Sequence, residues 1–162
     1  ICKLHLKSDS VFYDVGSGTG SIAVEAASLS DDMEVYAIEQ KENAVQLITQ
    51  NKEKHGFENI HVINAKAPDG MDNLPVPPHA FIGGSGGNLK EIIEALKAKN
   101  PHIRIVINAI SMETICEIKE ILSAYDVKNE DIVQLQVSRS KQIGHYHLMQ
   151  AENPVWICSF EF

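Results

Sequence analysis

Val11-Phe12-Tyr13-Asp14-Val15 runs without interruption into Gly16-Ser17-Gly18-Thr19-Gly20-Ser21. The run up to Val15 is β-branched and aromatic apart from one acid, which predicts a short buried strand. The alternating glycines after it let the backbone turn sharply and approach a ligand more closely than any side chain would permit. Ser21 to Ala27 reads as a helix, with Ser21 placed to cap it and Ile22 beside Ala26 on one face. Strand, glycine turn and helix in that order predict a nucleotide cradle.

The glycine spacing narrows the nucleotide. A dinucleotide fingerprint needs G-x-G-x-x-G/A with a pyrophosphate against the helix start, whereas here Gly16, Gly18 and Gly20 alternate and Ser21 stands where the third Gly or Ala belongs. The alternating form resembles motif I of methyltransferases that use S-adenosylmethionine (SAM). By itself the loop is also readable as a plain tight turn. A second apolar run, Met33 to Glu39, ends in a carboxylate nineteen positions after Gly20, about where a nucleotide fold places its ribose acid. Glu39, with Gln40 beside it, is therefore expected at the cofactor.

The chain has 162 residues, about one domain's length, with 44% hydrophobic and 22% charged residues, the composition of a soluble globular protein. No stretch approaches the ~20 apolar residues of a membrane span and no secretory signal opens the chain. Cys2, Cys116 and Cys158 are odd in number and lack metal-type spacing, so reduced thiols in a cytoplasmic protein, without a metal site, are expected. A net charge of -8 argues against non-specific nucleic-acid binding. Arg139, Lys141, His145 and His147 nevertheless form a small positive island in the acidic chain, against Glu152 and Glu161. The abrupt apolar opening at Ile1 reads as the tail of an element that begins earlier, in a preceding segment or fused domain.

Further along, Glu42 to His55 is an amphipathic helix closed by Gly56. Asn59 to Asn64 is a third strand, leading into the Ala65-Lys66-Ala67-Pro68 turn, and His79 to Ile82 a fourth. Gly83-Gly84-Ser85-Gly86-Gly87 follows at the carboxyl edge, where it can aim backbone amides at an anion or leave room for a flat ligand. Asn88 is placed to cap the next helix, Ile103 to Ile110 is a central parallel strand, and Glu113 to Ala124 is a helix. Asn108 falls on the ligand edge, where it either meets a ligand or satisfies local backbone. Asp131 to Val137 and Pro154 to Phe162 are two last strands joined by Ser138 to Asn153, and with no helix between them they are expected to pair antiparallel. The earlier alternation implies right-handed crossovers and a parallel sheet.

Taken together, Asp14 to Ser21, Ala65 to Pro68, Phe81 to Gly87, Asn108-Ala109 and Asn153-Pro154-Val155 resemble the decarboxylating precorrin methyltransferases of cobalamin (vitamin B12) biosynthesis over nearly the whole chain. The resemblance implies an α/β, Rossmann-like class I SAM-dependent methyltransferase fold: a mostly parallel seven-stranded sheet, helices on both faces, antiparallel last strand. It also implies SAM as cofactor, methylation of meso carbon 15 of a precorrin, and loss of carbon dioxide from the acetate on carbon 12.

On that reading Asp14, Gly16, Ser17, Gly18, Thr19, Gly20, Glu39, Gln40, Ala65, Lys66, Ala67 and Gly83 are the expected cofactor residues. Gly84, Ser85, Gly86, Gly87, Asn108, Arg139, Lys141 and His147 are expected at an anionic tetrapyrrole. Arg139 anchors a substrate carboxylate, and Lys141, His145, Tyr146 and His147 are candidates for anchoring or proton transfer, with Asn108 at the reacting end. The family tends to form tetramers. A NAD-dependent oxidoreductase, a methyltransferase acting on RNA or protein, and a non-catalytic binding subunit remain the alternatives.

Overall fold

A computed structural model describes all residues, Ile1–Phe162. The elements are β1 (Val11–Val15), α1 (Ser21–Ala27), β2 (Glu34–Glu39), α2 (Glu42–His55), β3 (Ile60–Asn64), β4 (His79–Ile82), α3 (Leu89–Lys99), β5 (Arg104–Ala109), α4 (Met112–Ala124), β6 (Lys128–Leu135), β7 (Ser138–Ile143), β8 (Tyr146–Ala151) and β9 (Val155–Glu161). Seven strands form one sheet in the order β3-β2-β1-β4-β5-β9-β6. β1 to β5 run parallel, and β9 inserts antiparallel between β5 and β6. The parallel part of the sheet follows the alternation of elements, and the whole is the class I SAM-dependent methyltransferase fold that the resemblance implies.

Both faces of the central strands are covered because successive side chains point to opposite sides. Tyr13 and Val15 join Ile92, Leu96, Ile118 and Ile121 in the core under α3 and α4, while Phe12 joins Ala23, Ala26 and Ile48 in the core under α1 and α2. At the amino edge, Arg104 is buried and donates to Lys3 O and Glu161 Oε1, each at 2.5 Å. Glu161 is held below the ordinary carboxylate range, first by the Asn129 amide and then by Arg104.

Chain order within the sheet reverses between β1 and β4, which lie side by side. The turn after β1 and the turn after β4 therefore meet at the carboxyl edge, the position where such sheets take ligands.

Several local expectations change. Ser21 does not cap α1: Gly20, in the left-handed conformation at φ 77°, is the cap residue and Ser21 is already helical. Asn88 precedes α3, but its amide donates instead to Ala67 O at 3.3 Å, tying two loops together. β6 starts earlier than expected, at Lys128, and carries an irregularity before Asp131. Ser138 to Asn153 is not a simple connection, for β7 and β8 pair into a separate two-stranded antiparallel ribbon. No helix is long and apolar enough to cross a membrane.

Candidate functional site

The turn after β1 is pinned from below. Gly16 N and Ser17 N donate to Ile38 O at 2.9 and 3.2 Å, and Gly83 N donates to Val15 O at 2.9 Å. Gly16 sits at φ +68°, and a methyl group there would overlap Gly84 O and stand 2.8 Å from Gly84 N. It is glycine because another backbone approaches it. Gly18, at φ +59°, has nothing within 4 Å of a would-be Cβ, so it faces open space, where a ligand would lie.

Asp14 is fully buried beneath this turn. Its Oδ2 accepts from Ser17 Oγ at 2.6 Å and from Ala23 N at 3.1 Å, while Oδ1 has no partner. The carboxylate thus occupies the anion position at the start of α1 that a pyrophosphate would need, an arrangement that disfavours a dinucleotide there. Burial pushes the Asp14 pKa up to about 6, with the Ser17 and Ala23 hydrogen bonds opposing and Glu39 adding to the rise.

This shift has a measurable result. Between 3.8, the ordinary value, and about 6 the folded chain keeps a proton that the unfolded chain releases, so stability falls as pH rises through that window. Asp14→Asn is expected to flatten the slope and to raise stability at pH 7.5 by about 1–2 kcal/mol. That gain is smaller than the ~3 kcal/mol represented by two pK units, because the new amide N–H groups lack acceptors. Urea unfolding at pH 4.5 and 7.5 checks it; a slope retained in the variant would assign the titration to another group.

Glu39, buried at the end of β2, closes the site. Its Oε2 accepts from Gly18 N and its Oε1 from Lys41 N, both at 2.9 Å, so the carboxylate is aimed at the glycine turn. Each oxygen keeps a further lone pair for a ligand donor. In front of it opens a cavity of about 410 Å³ lined by Gly16, Gly18, Thr19, Ile38, Glu39, Gln40, Lys41, Asn43, Ala44, Leu47, Ala65, Lys66, Ala67, Gly84, Ser85 and Gly86. A methyl group at Gly86 would come within 3.2 Å of Gln40 Nε2 and 3.8 Å of the Lys66 stem, so the far wall reaches almost to these two side chains.

Of the expected cofactor residues, the cavity brings together Gly16, Gly18, Thr19, Glu39, Gln40, Ala65, Lys66 and Ala67. Asp14, Ser17 and Gly20 stand behind the turn and shape it: Gly20 donates to Ser17 O, and a side chain there would press on Ile48 at 3.1 Å. Gly84, Ser85 and Gly86, expected at the substrate, line this same cavity. Lys41, Asn43, Ala44 and Leu47 escaped the sequence reading. A signal existed: Ala44 and Leu47 are three residues apart on one helix face immediately after the acid, and Leu47 is left half-exposed rather than buried in the core.

Gly83 and Gly87, with Asn108, line an adjoining cavity of about 330 Å³ beyond the second turn. Arg139, Lys141, His145, Tyr146 and His147 line neither, because they lie on the fully exposed β7–β8 ribbon. Cross-strand partners share a face, so Arg139 opposite Gln150, Lys141 opposite Leu148 and Ile143 opposite Tyr146 point one way, and His147 opposite Gln142 the other. The positive island is therefore split. Arg139 pairs with Glu152 at 3.8 Å with its side chain 79% exposed, so its charge remains available to a ligand. Gln134 lies opposite Trp156, which lies opposite Ala109, so the ribbon rises from the same sheet edge as the cavities, outboard of β5.

Comparisons with known proteins agree with this geometry. A family model described as the precorrin methyltransferase domain matches residues 1–161. A relative from Pyrobaculum calidifontis, named a probable cobalt-precorrin-6B C(15)-methyltransferase (decarboxylating), is 35% identical over 159 residues, covering 97% of this chain and 81% of its own. Among solved structures, precorrin-6Y C5,15-methyltransferase from Geobacter metallireducens superposes with a TM-score of 0.91 at 32% identity, covering 99% of this chain and 84% of the other. Precorrin 8W decarboxylase from Methanobacterium thermoautotrophicum does so with a TM-score of 0.87 at 31% identity, over 98% and 84%. The match runs from the first residue to the last but one and leaves no part of the sheet or the cavities outside it: the chain belongs to the precorrin methyltransferase family.

Proposed function

We propose that this chain is a cytoplasmic SAM-dependent methyltransferase of cobalamin biosynthesis, which methylates carbon 15 of a precorrin and removes the acetate carboxyl on carbon 12. The observation that carries the cofactor assignment is Glu39, fixed by two backbone N–H groups at the mouth of a 410 Å³ cavity with acceptor capacity to spare for a ribose diol. Gly18 leaves room beside it, Ala44, Leu47, Ile38 and Ala65 offer apolar surface for a flat base, and Lys66 supplies a cation for a carboxylate. These residues fit SAM.

When bound, SAM supplies an electrophilic methyl group on a sulfonium, so no protein nucleophile is required. The chain's own work is alignment and exclusion of water. Glu39 and the glycine turn hold the ribose, while Gly84, Ser85 and Gly86, which line both cavities, face the acceptor carbon. Arg139 and Lys141 meet the carboxylate fringe of the macrocycle from the ribbon. That face of the ribbon also exposes Ile143, Tyr146 and Leu148, apolar surface for the macrocycle beside the two cations, and a homo-oligomer, a tetramer by family resemblance, is part of the same reading.

Calorimetry with SAM, S-adenosylhomocysteine and NAD, followed by turnover with cobalt-containing and cobalt-free precorrin, tests the reading. NAD binding without S-adenosylhomocysteine binding would refute it. Arg139→Ala is expected to raise the KM for precorrin by about threefold to tenfold, in keeping with one exposed charged contact, while leaving S-adenosylhomocysteine affinity unchanged. A parallel loss of both would give Arg139 a folding role instead.

A further inference from the structure

The Gly83–Gly87 turn separates two chambers rather than walling one. Gly84, Ser85 and Gly86 line both the cavity in front of Glu39 and the 330 Å³ cavity on the other side. The second chamber is lined by apolar Ile82, Leu89, Ile107, Ala109 and Ile110, with Asn108 and Thr114 as its side-chain polar groups apart from Ser85, and no charged residue lines it. The N–H groups of Gly84, Ser85, Gly86 and Gly87 donate to no protein acceptor, and Gly86 and Gly87 are both at positive φ, 58° and 85°. The Asn108 carboxamide also has no partner in the protein, although its residue is half-buried at the end of β5. Unspent neutral donors thus lie on the turn and at the strand end that line an uncharged, apolar pocket one glycine turn away from the cofactor cavity.

We infer that this second chamber is the decarboxylation pocket: it seats the substrate carboxylate that departs, oriented by Asn108 and the free N–H groups of the turn. The inference rests on the methyltransferase reading above and deepens it. In the step itself the bond between the methylene and carboxyl carbons breaks and its electron pair moves into the conjugated macrocycle. Carbon dioxide leaves as a neutral molecule, and the methylene carbon takes a proton from solvent.

A cation at the carboxylate would stabilise the charge where it starts and not where it goes. Neutral donors orient the group at a smaller ground-state cost than a cation would, and an apolar wall suits the neutral product. The lack of arginine, lysine or histidine in this lining is then a functional feature, and Arg139 and Lys141 serve carboxylates that stay.

The test uses the full chain with precorrin labelled in the carbon 12 acetate carboxyl and saturating SAM, scoring released label, transferred methyl and S-adenosylhomocysteine affinity separately. Asn108→Ala is expected to slow label release by at least tenfold with S-adenosylhomocysteine affinity changed by less than twofold. Thr114→Asp, which places a second carboxylate in the chamber at a helix start that tolerates one, is expected to do the same without relying on Asn108. Asn108→Lys is expected to keep or tighten precorrin binding and still slow release. Label release at the unsubstituted rate in these variants would overturn the inference while the function stands. A wild-type chain that binds no S-adenosylhomocysteine and transfers no methyl would overturn both.

Discussion

Gly16→Ala is expected to unfold with about 3–4 kcal/mol less free energy than the parent chain. The cost has two sources. A left-handed backbone costs a non-glycine residue about 1–2 kcal/mol, and the new methyl would occupy the space of the Gly84 peptide, forcing that turn to move at about 1–3 kcal/mol, as in overpacked cores. For a chain of this length the loss corresponds to a melting temperature lower by about 10 °C.

Because Gly84 lines both cavities, the displacement is also expected to abolish cofactor and substrate use together. Gly18→Ala supplies the contrast. It carries a similar backbone penalty at φ +59°, but its methyl meets no protein atom within 4 Å. It should lose about 1 kcal/mol of stability while losing cofactor affinity, since the methyl enters the cavity. Thermal unfolding and calorimetry on the two variants check the pair. Equal stability losses would mean that the contact of Gly16 with Gly84 is not what holds the turns together.

Glu39→Ala is expected to weaken S-adenosylhomocysteine binding by tenfold to a hundredfold, the range covered by charge-assisted hydrogen bonds worth about 1.5–3 kcal/mol. Part of the loss is indirect, because Gly18 N and Lys41 N would lose their acceptors and the glycine turn its brace. Glu39→Gln separates the two parts. Its amide retains one acceptor oxygen, enough for only one of the two backbone N–H groups, and removes the charge, so it should fall between wild type and Ala in both affinity and stability. Unchanged affinity in both variants would remove Glu39 from the cofactor site and with it the main support for SAM in this cavity.

The Asp14 and Glu39 carboxylates show why a sequence motif and a site are different objects. Both acids end or nearly end a strand beside the same glycine turn, and both were expected at the cofactor. The structure gives them opposite tasks: Glu39 faces the cavity from the end of β2, whereas Asp14 is one residue inside β1, and the alternation of the strand turns it towards α1 and away from solvent. A ligand that fills the cavity touches the first and is only shaped by the second.

The local and periodic features of this chain can be read from its residues in order. The alternation of strand and helix, the near-exact span of α2 with Gly56 as its left-handed end, and the glycine turn followed at a fixed distance by an acid were all legible from propensity and spacing. The strongly patterned elements were read well because period and turn chemistry act over a few residues. Contacts between segments far apart in the chain follow from the packing of the sheet and lie beyond local pattern. Gly16 meets Gly84 because β1 and β4 are sheet neighbours, Asn88 leaves its own helix for Ala67, and a single glycine turn divides two cavities. The ribbon of β7 and β8 escaped because its polar and apolar residues do not alternate, and both of its faces meet solvent. A strand pair with no buried face leaves no period in its sequence; the backbone pairing that forms it is visible only in three dimensions.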